Sequence, residues 1–372
     1  MSLKQTITHN LLNIPGWHTK RHIVVIESDD WGSIRMPSKE VYDILLKRGL
    51  DVDKDPYCRY DNLATAEDLE ALYEVLQSVK DKNGRQAVLT ANAVVANPVF
   101  EKIRESGFTE YFYEPFTETL KRYPRHSGTF GIWKQGIAAG LFHPQFHGRE
   151  HLNVKKWFDA LQSGDEATRL AFEMGTFGLT SAVAPTITTN YMGAFDSRLP
   201  EDLDFYKQSI QDGLDLFKEL IGYRSESFIA TTYTWSPLIE PFLKENGVKY
   251  LQGMVHQRVP QDGGDSFIFQ KDNFTGRKSK SGLLYITRNC FFEPSQTNID
   301  CVSDCMKRIS IAFKWGKPAV ISAHRLNFIG NIVERNRTES LETLSNLLHL
   351  VVKKYPDVEF MSTDELGNII ES

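Results

Sequence analysis

The residues best suited to chemistry are the acids in the segment 27–32, Glu-Ser-Asp-Asp-Trp-Gly. This segment directly follows residues 22–26, an apolar run that predicts a strand buried on both faces. Acidic side chains at the carboxyl end of such a strand stand where α/β folds place active sites. Because Asp29 and Asp30 are adjacent, their carboxylates point in different directions, so one can bind a metal while the other handles protons. The alternative is a polar turn whose aspartates cap the next segment.

A second group consists of three of the ten histidines, His143, His147 and His151, which fall within nine positions. A spacing of four places imidazoles on one face of a helical turn, where two of them can share a cation. The pair is either His143 with His147 or His147 with His151. A single histidine is more often a packed residue, but three at this density favour a metal site.

The segment 147–151 also matches the H-x-x-E-H pattern of inverted zinc metallopeptidases. In such an enzyme Glu150 is the base and a distant helix supplies a further acidic ligand. Gly148 weakens this interpretation, because a glycine inside a helix costs about 1 kcal/mol. We keep the peptidase as an alternative function.

Two further segments place polar residues beside predicted elements. Arg224 follows a long predicted helix, and residues 231–235, Thr-Thr-Tyr-Thr-Trp, lie just beyond it. An arginine there is more often a solvated surface residue. The apolar run 319–323 predicts a buried strand that ends in His324, and in a barrel that edge carries the catalytic residues.

These residues must be positioned by alternating strands and helices. Strands are predicted at 22–26, 87–91, 141–146, 227–231, 248–251, 283–287, 319–322 and 358–361, and helices fit between most of them. Alternation of this kind is typical of a barrel or a doubly wound sheet. The least regular ranges, 108–140 and 253–282, are interpreted as insertions on a barrel. We therefore predict a single domain over residues 1–372.

Composition limits the class of protein. The 372 residues are 41% hydrophobic and 24% charged with a net charge of -5, which is ordinary for a globular protein and argues against a nucleic-acid partner. The first twelve residues lack the apolar core of a signal peptide, and no stretch is apolar for the ~18 residues that a membrane span needs. Four cysteines are too few for a disulfide scaffold, so buried thiols are expected at Cys301 and Cys305. We expect a cytoplasmic protein; its oligomeric state stays open.

Together, the four strand-end motifs resemble those of the polysaccharide deacetylase family, which contains the chitooligosaccharide deacetylase homology domain. Asp29 and Asp30 match its Asp-Asp pair, and His147 and His151 match its His-x-x-x-His pair, with His143 as the alternative register. Arg224 matches the arginine of its third motif, and His324 matches the histidine that ends its last strand. Ser28 and Trp31 depart from the family's pattern around the aspartates, which marks a divergent member.

The resemblance implies a distorted (β/α) barrel and a divalent ion, with zinc expected, held by Asp30, His147 and His151. It further implies that Asp29, oriented by Arg224, is the base and that His324 is the acid. The expected reaction is removal of acetyl groups from N- or O-acetylated sugars or polysaccharide precursors. Three aromatic residues are expected to stack on the carbohydrate substrate, and these are Trp31, Tyr233 and Trp235. The second alternative to this function, beside the peptidase, is a glycan-handling protein that has kept the barrel and lost the chemistry.

Overall fold

The computed structural model describes residues 3–187, 190–263, 266–296 and 299–372. Its strands are β1 (Ile23–Trp31), β2 (Leu89–Val94), β3 (Ala96–Pro98), β4 (Tyr113–Pro115), β5 (Phe142–Gly148), β6 (Ser227–Phe228), β7 (Tyr250–Gly253), β8 (Gln257–Gln261), β9 (Ser266–Gln270), β10 (Leu284–Thr287), β11 (Cys290–Phe291), β12 (Ala319–His324) and β13 (Glu359–Phe360).

Helices follow or precede most of these strands. They are α1 (Leu3–Leu12), α2 (Lys39–Lys47), α3 (Pro56–Tyr60), α4 (Ala66–Gln77), α5 (Phe100–Glu105), α6 (Phe116–Arg122), α7 (Thr129–Ala138), α8 (Val154–Ser163), α9 (Glu166–Glu173), α10 (Pro200–Ile221), α11 (Glu240–Glu245), α12 (Cys301–Lys314), α13 (Glu334–Lys354) and α14 (Thr363–Glu371). Short 3-10 turns occur at Pro124–His126, Thr231–Tyr233, Pro237–Ile239 and Arg325–Phe328.

The central sheet has the strand order β10-β7-β6-β5-β2-β1-β12-β11, with β13 paired to β1, and its pairings are parallel. Its two edge strands, β10 and β11, are joined by Arg288 and Asn289 alone. The Arg288 amide donates to Gly253 O at 2.9 Å on one side, and the Asn289 amide donates to Val320 O at 3.1 Å on the other. The sheet therefore curls until its edges meet, which confirms the predicted distorted α/β barrel.

Alternation along β1 decides which side chains face the barrel interior. Ile23 and Val25 pack inside against residues of β7, β10 and β12, whereas Val24 and Ile26 pack against the surrounding helices. Since successive strand residues face opposite sides, Glu27 and Asp29 continue the interior face. The barrel interior is therefore apolar at the amino ends of the strands and acidic at their carboxyl ends.

The two ranges predicted as insertions contain regular structure. Residues 108–140 contain β4, which pairs antiparallel with β3, followed by α6 and α7. Residues 253–282 contain the antiparallel hairpin of β8 and β9, and residues 264 and 265 of this range lie outside the described residues. A single domain with insertions stays a prediction.

Other expectations concern the cysteines and the membrane. All four cysteines are buried and none of them forms a disulfide among the described residues, as expected for buried thiols at Cys301 and Cys305. Within the described ranges, we find no helix with the length and apolar character needed to cross a membrane.

Candidate metal centre and active site

Three candidate ligands, Asp30, His147 and His151, come together at the carboxyl edge of the sheet. Asp30 lies near the end of β1, His147 near the end of β5, and His151 in the loop that follows β5. One potential ligand atom from each lies within 4.8 Å of the others, and all three residues are buried. Across the described ranges, this is the one such group of histidine, cysteine or acidic side chains.

The distances within this group suit a small divalent cation. His147 Nε2 lies 3.4 Å from Asp30 Oδ1, and His151 Nε2 lies 3.2 Å from the same oxygen. Ligands about 2.1 Å from a tetrahedral zinc lie about 3.4 Å from one another. The spacing of the donors therefore matches the edge of a zinc coordination shell.

The hydrogen bonds of His147 independently support a metal site. Its Nδ1 lies 2.9 Å from Ile229 O, and because a carbonyl oxygen can only accept, Nδ1 carries the proton. Nε2, which faces the Asp30 carboxylate, is therefore the ring nitrogen that is left to bind a cation. This buried nitrogen has no hydrogen-bond partner in the described part of the chain. A cation between this nitrogen and the Asp30 carboxylate would give both groups a partner, so the residues fit a metal.

The protonation states of the other two ligands also favour a metal. Burial and the nearby Arg35 charge lower the pKa of His151 to about 4, which leaves the imidazole neutral. Burial opposes ionisation of Asp30, but the charge of Arg35 holds the pKa of its carboxyl group well below the usual range. Neutral imidazole and ionised carboxylate are the forms that ligate metals.

The prediction that the histidines lie on one face of a helical turn is wrong. His143 and His147 lie four residues apart on a strand, about 13 Å at ~3.3 Å per residue, so they cannot share an ion. His143 instead contacts Asp364 at 3.0 Å and stacks on Tyr223. The alternative register with His143 is therefore excluded.

The H-x-x-E-H interpretation, which also requires a helix, fails because these residues are not helical. Residues 147–151 run from the end of β5 into a loop rather than along a helix. The Glu150 carboxylate accepts from Arg149 Nε at 2.6 Å and from Nη2 at 3.1 Å, and it faces Ser209. Glu150 is thus a buried ion-pair partner of Arg149, and it is not among the residues that line the cavity beside Asp30, His147 and His151.

Asp29, the predicted base, is held by Arg288, which is not among the predicted site residues. Arg288 donates from Nη2 to Asp29 Oδ1 at 2.6 Å and from Nη1 to Oδ2 at 2.7 Å, and Asn92 donates to Oδ1 at 2.8 Å. Arg288 also donates from Nε to Glu27 at 2.5 Å. Burial alone would raise the pKa of Asp29, but the charge of Arg288 lowers it to about 2. Asp29 is therefore an ionised carboxylate in a fixed orientation.

The assignment of this role to Arg224 needs correction. Arg224 lies on the surface with 43% of its side chain exposed and contacts Asp215 and the Asn246 carbonyl. It follows α10 and precedes β6, so it stands at the amino end of a strand, away from the site. Arg288 reaches Asp29 because it directly follows β10, where the curled sheet closes. The signal was present, since Arg288 is a polar residue at the end of the predicted strand 283–287.

His324, the predicted acid, ends β12 beside Asp29. Its Nε2 lies 3.8 Å from Asp29 Oδ2, and its Nδ1 lies 2.6 Å from Glu293 Oε1. Burial on its own would lower the pKa of His324, but the Glu293 charge and hydrogen bond raise it to about 9. His324 is therefore protonated at neutral pH. Glu293 carries no sequence signal, because it lies in an irregular segment between β11 and α12.

One cavity of about 250 Å³ is lined by the predicted base, the predicted acid and the three candidate metal ligands, which are Asp29, His324, Asp30, His147 and His151. Other residues on its walls are Arg35, Asp55, Tyr57, Gly178, Thr180, Asn190, Met192, Ala230, Thr232 and Tyr233.

Of the three aromatic residues expected to stack on substrate, the structure brings only Tyr233 to the cavity wall. Trp31 is 1% exposed and packs edge-on against Trp133 and Phe142. Trp235 is 2% exposed and donates to Glu240. Both indoles are core residues, since the apolar surface of each is covered by neighbouring side chains.

Backbone strain is concentrated around the cavity. Among the described residues, five that are not glycine have positive φ, and three of them, Asp30, Thr232 and Tyr233, line it. Their φ angles are 74°, 56° and 57°. Left-handed backbone at such residues costs of order 1–3 kcal/mol each and clusters at functional sites. At Asp30 this turn directs the carboxylate away from the partners of Asp29.

No family model and no curated protein matches the chain. Among solved structures, a putative polysaccharide deacetylase from Mycobacterium smegmatis is 11% identical over 96% of this chain and 93% of its own, with a TM-score of 0.43. Puue allantoinase is 11% identical over 95% and 91%, with a TM-score of 0.45. The 4-alpha-glucanotransferase from Thermococcus litoralis is 10% identical over 93% of this chain, with a TM-score of 0.45, and this chain spans 40% of its length.

Proposed function

We propose that this protein is a metal-dependent hydrolase that removes acetyl groups from N- or O-acetylated sugars or polysaccharide precursors. The observation that carries the proposal is the meeting of a metal-binding triad, an ionised aspartate and a protonated histidine in one cavity. A base and an acid held in separate environments are what a hydrolytic cycle needs.

Asp29 is the proposed general base. At neutral pH it is a carboxylate, and Arg288 and Asn92 fix both of its oxygens in place. In this role it orients a water molecule toward the acetyl carbonyl and accepts its proton. Arg288 is the residue that positions the base, the role that the resemblance gave to Arg224.

His324 is the proposed general acid. Glu293 accepts from Nδ1 and keeps the ring protonated, so Nε2 carries the proton that can be donated. In this role Nε2 donates to the departing amine or alkoxide of the sugar. The His324 ring stands edge-on to Tyr57 at 5.6 Å between centroids, which fixes its plane.

Asp30, His147 and His151 would hold the ion, for which zinc is the expected identity because two imidazoles and one carboxylate are common ligands of catalytic zinc. A divalent ion there would act as a Lewis acid toward the acetyl carbonyl and a nearby water.

A sugar substrate is supported by the character of the cavity walls. Tyr57 and Tyr233 offer aromatic rings, and Thr180, Asn190 and Thr232 offer groups that can hydrogen-bond to hydroxyls. Tyr57 replaces Trp31 and Trp235 as a proposed stacking residue.

The test is an acetate-release screen over N- and O-acetylated monosaccharides and oligosaccharides with the zinc-loaded protein. We expect release from at least one acetylated sugar, its loss in Asp29→Asn, and its retention in Asp215→Asn, a surface carboxylate on α10 with 52% of its side chain exposed. Metal uptake without acetate release from any substrate would contradict a deacetylase and favour a non-catalytic glycan-handling protein.

A further inference from the structure

We propose that Arg35 is a positioning residue that restricts Asp30 to a single metal-binding oxygen. This inference rests on the proposed metal site and concerns how that site keeps room for substrate. Arg35 Nη2 donates to Asp30 Oδ2 at 3.1 Å, while the other oxygen, Oδ1, faces the two histidines at 3.2 and 3.4 Å. The two carboxylate oxygens therefore have different partners.

The ion pair between Arg35 and Asp30 is enclosed. Their side chains are 7% and 2% exposed, so water does not compete for Oδ2. The Arg35 guanidinium also lies 5.3 Å from the centre of the Tyr57 ring, and its Nη1 lies 3.5 Å from the sulfur of Met192. These contacts hold the guanidinium beside the carboxylate on the cavity wall.

A second carboxylate, that of Asp61, forms an ion pair with Arg35. Asp61, whose side chain is fully buried, places Oδ2 3.7 Å from Arg35 Nε. Its Oδ1 accepts from Arg325 Nε at 2.9 Å, and Arg325 Nη1 donates to Ser33 O at 2.8 Å. Charges thus alternate along Asp30, Arg35, Asp61 and Arg325. Because Arg325 directly follows His324, this chain of ion pairs ties the end of β1 to the end of β12.

The chemical consequence follows from how carboxylates bind cations. A carboxylate with two free oxygens can chelate a metal and fill an additional coordination position. A catalytic metal site must keep a position open for water or substrate. Since Arg35 occupies Oδ2, Asp30 offers only Oδ1, and the open position is preserved.

The experiment compares the visible absorption spectra of the cobalt(II)-loaded native protein, Arg35→Met and Arg35→Lys. We expect each to bind one equivalent of cobalt. Arg35→Met should show weaker absorption, because a second carboxylate oxygen raises the coordination number, and at least a 10-fold lower kcat. Arg35→Lys, which keeps a cationic donor for Oδ2, should restore most of the native spectrum. Arg308→Met, which removes a similarly shielded ion pair with Asp304 on α12, is the matched control and should match the native spectrum.

A native spectrum in folded Arg35→Met would overturn the inference while leaving the metal site intact. If the native protein takes up no cobalt, the proposed function and this inference fail together. If Arg35→Met does not fold, Arg35→Gln makes the same comparison, because a shorter neutral side chain leaves Oδ2 without a charged donor. An unchanged spectrum in that variant overturns the inference equally.

Discussion

Asp29 and Asp30 are neighbours in the chain, yet their carboxylates belong to two differently built regions. The base side consists of Asp29 with Arg288 and Asn92, and it faces the barrel interior. The metal side consists of Asp30 with His147 and His151, at the carboxyl edge of the sheet. On the base side the carboxylate oxygens are satisfied by protein donors. On the metal side an imidazole nitrogen faces an anionic oxygen with no donor between them.

The difference shows how adjacent acids acquire separate tasks. Asp29 keeps the strand conformation of β1, so its side chain points inward. There it contacts Arg288 at the seam of the barrel, where β10 and β11 close the curled sheet. Asp30 adopts a φ of 74°, which breaks the alternation and turns its side chain toward β5 and the following loop. Strain at one residue therefore separates the proposed proton acceptor from the proposed metal ligand.

The largest expected effect comes from exchanging the two acids for amides. Asp30→Asn should lower metal affinity by at least 100-fold, because it removes the anionic ligand, and His147→Ala should abolish metal binding. Asp29→Asn should keep one metal per chain and lower kcat by about 10²–10⁴, the usual contribution of a general base. Metal content and acetate release measured on the same preparations separate the two outcomes. Equal metal loss in both aspartate variants would mean that the two sides are not distinct.

Removal of the arginine that organises the base side should mainly reduce stability. Arg288→Met leaves Glu27 and Asp29 buried without their cation, which we expect to cost about 3–5 kcal/mol of unfolding free energy in urea. Arg224→Met removes an exposed pair and should change the same quantity by less than about 0.5 kcal/mol. A larger loss of stability in Arg224→Met than in Arg288→Met would contradict the buried pairing of Arg288 with Glu27 and Asp29.

The pH dependence of activity tests whether the acid is set by Glu293 rather than by the base side. The pKa of His324 is raised to about 9, so activity that needs its proton should persist through neutral pH and fall as pH rises through about 9. Protonated His324 also contributes to the free energy of unfolding. This contribution is fully present below about pH 6.5, the pKa of the histidine in the unfolded chain, and is lost as the pH rises through about 9. In Glu293→Gln the alkaline limb should move down by more than about one pH unit, because the opposite charge is gone. An unmoved limb would contradict the pairing.

The smallest expected effect concerns substrate contact. Tyr233→Ala should raise KM by a few fold, because it removes an aromatic ring that lines the cavity. Trp235→Phe should leave KM unchanged, since that indole is buried in the core. A KM effect in Trp235→Phe alone would place the substrate elsewhere.

Much of this arrangement was predictable because it depends on local sequence. The apolar run of β1 ends in acids, and that of β12 ends in His324, so their place at the carboxyl edge follows from strand direction. The spacing of the histidines indicated a shared cation, but a spacing of four suits a helix, whereas here it spans a strand end and a loop. The loop brings His151 back beside His147, which no residue spacing reveals.

The remaining residues depend on closure of the barrel. Arg288 holds Asp29 across 259 positions of sequence, at a seam that forms only when the strands curl. Glu293 and Arg35 lie in irregular segments, where no periodicity marks the direction of a side chain. Arg224 matches a family motif in its order along the chain, but that order does not indicate which end of a strand a residue occupies.

The proposed metal site is tested most simply by the metal content of the purified native protein after zinc loading and dialysis. It is measured by elemental analysis beside Asp30→Asn and His147→Ala. We expect about one zinc per native chain and essentially none in either variant. Full occupancy in both variants, or no zinc in the native protein, would contradict the assignment of Asp30, His147 and His151 as the metal ligands.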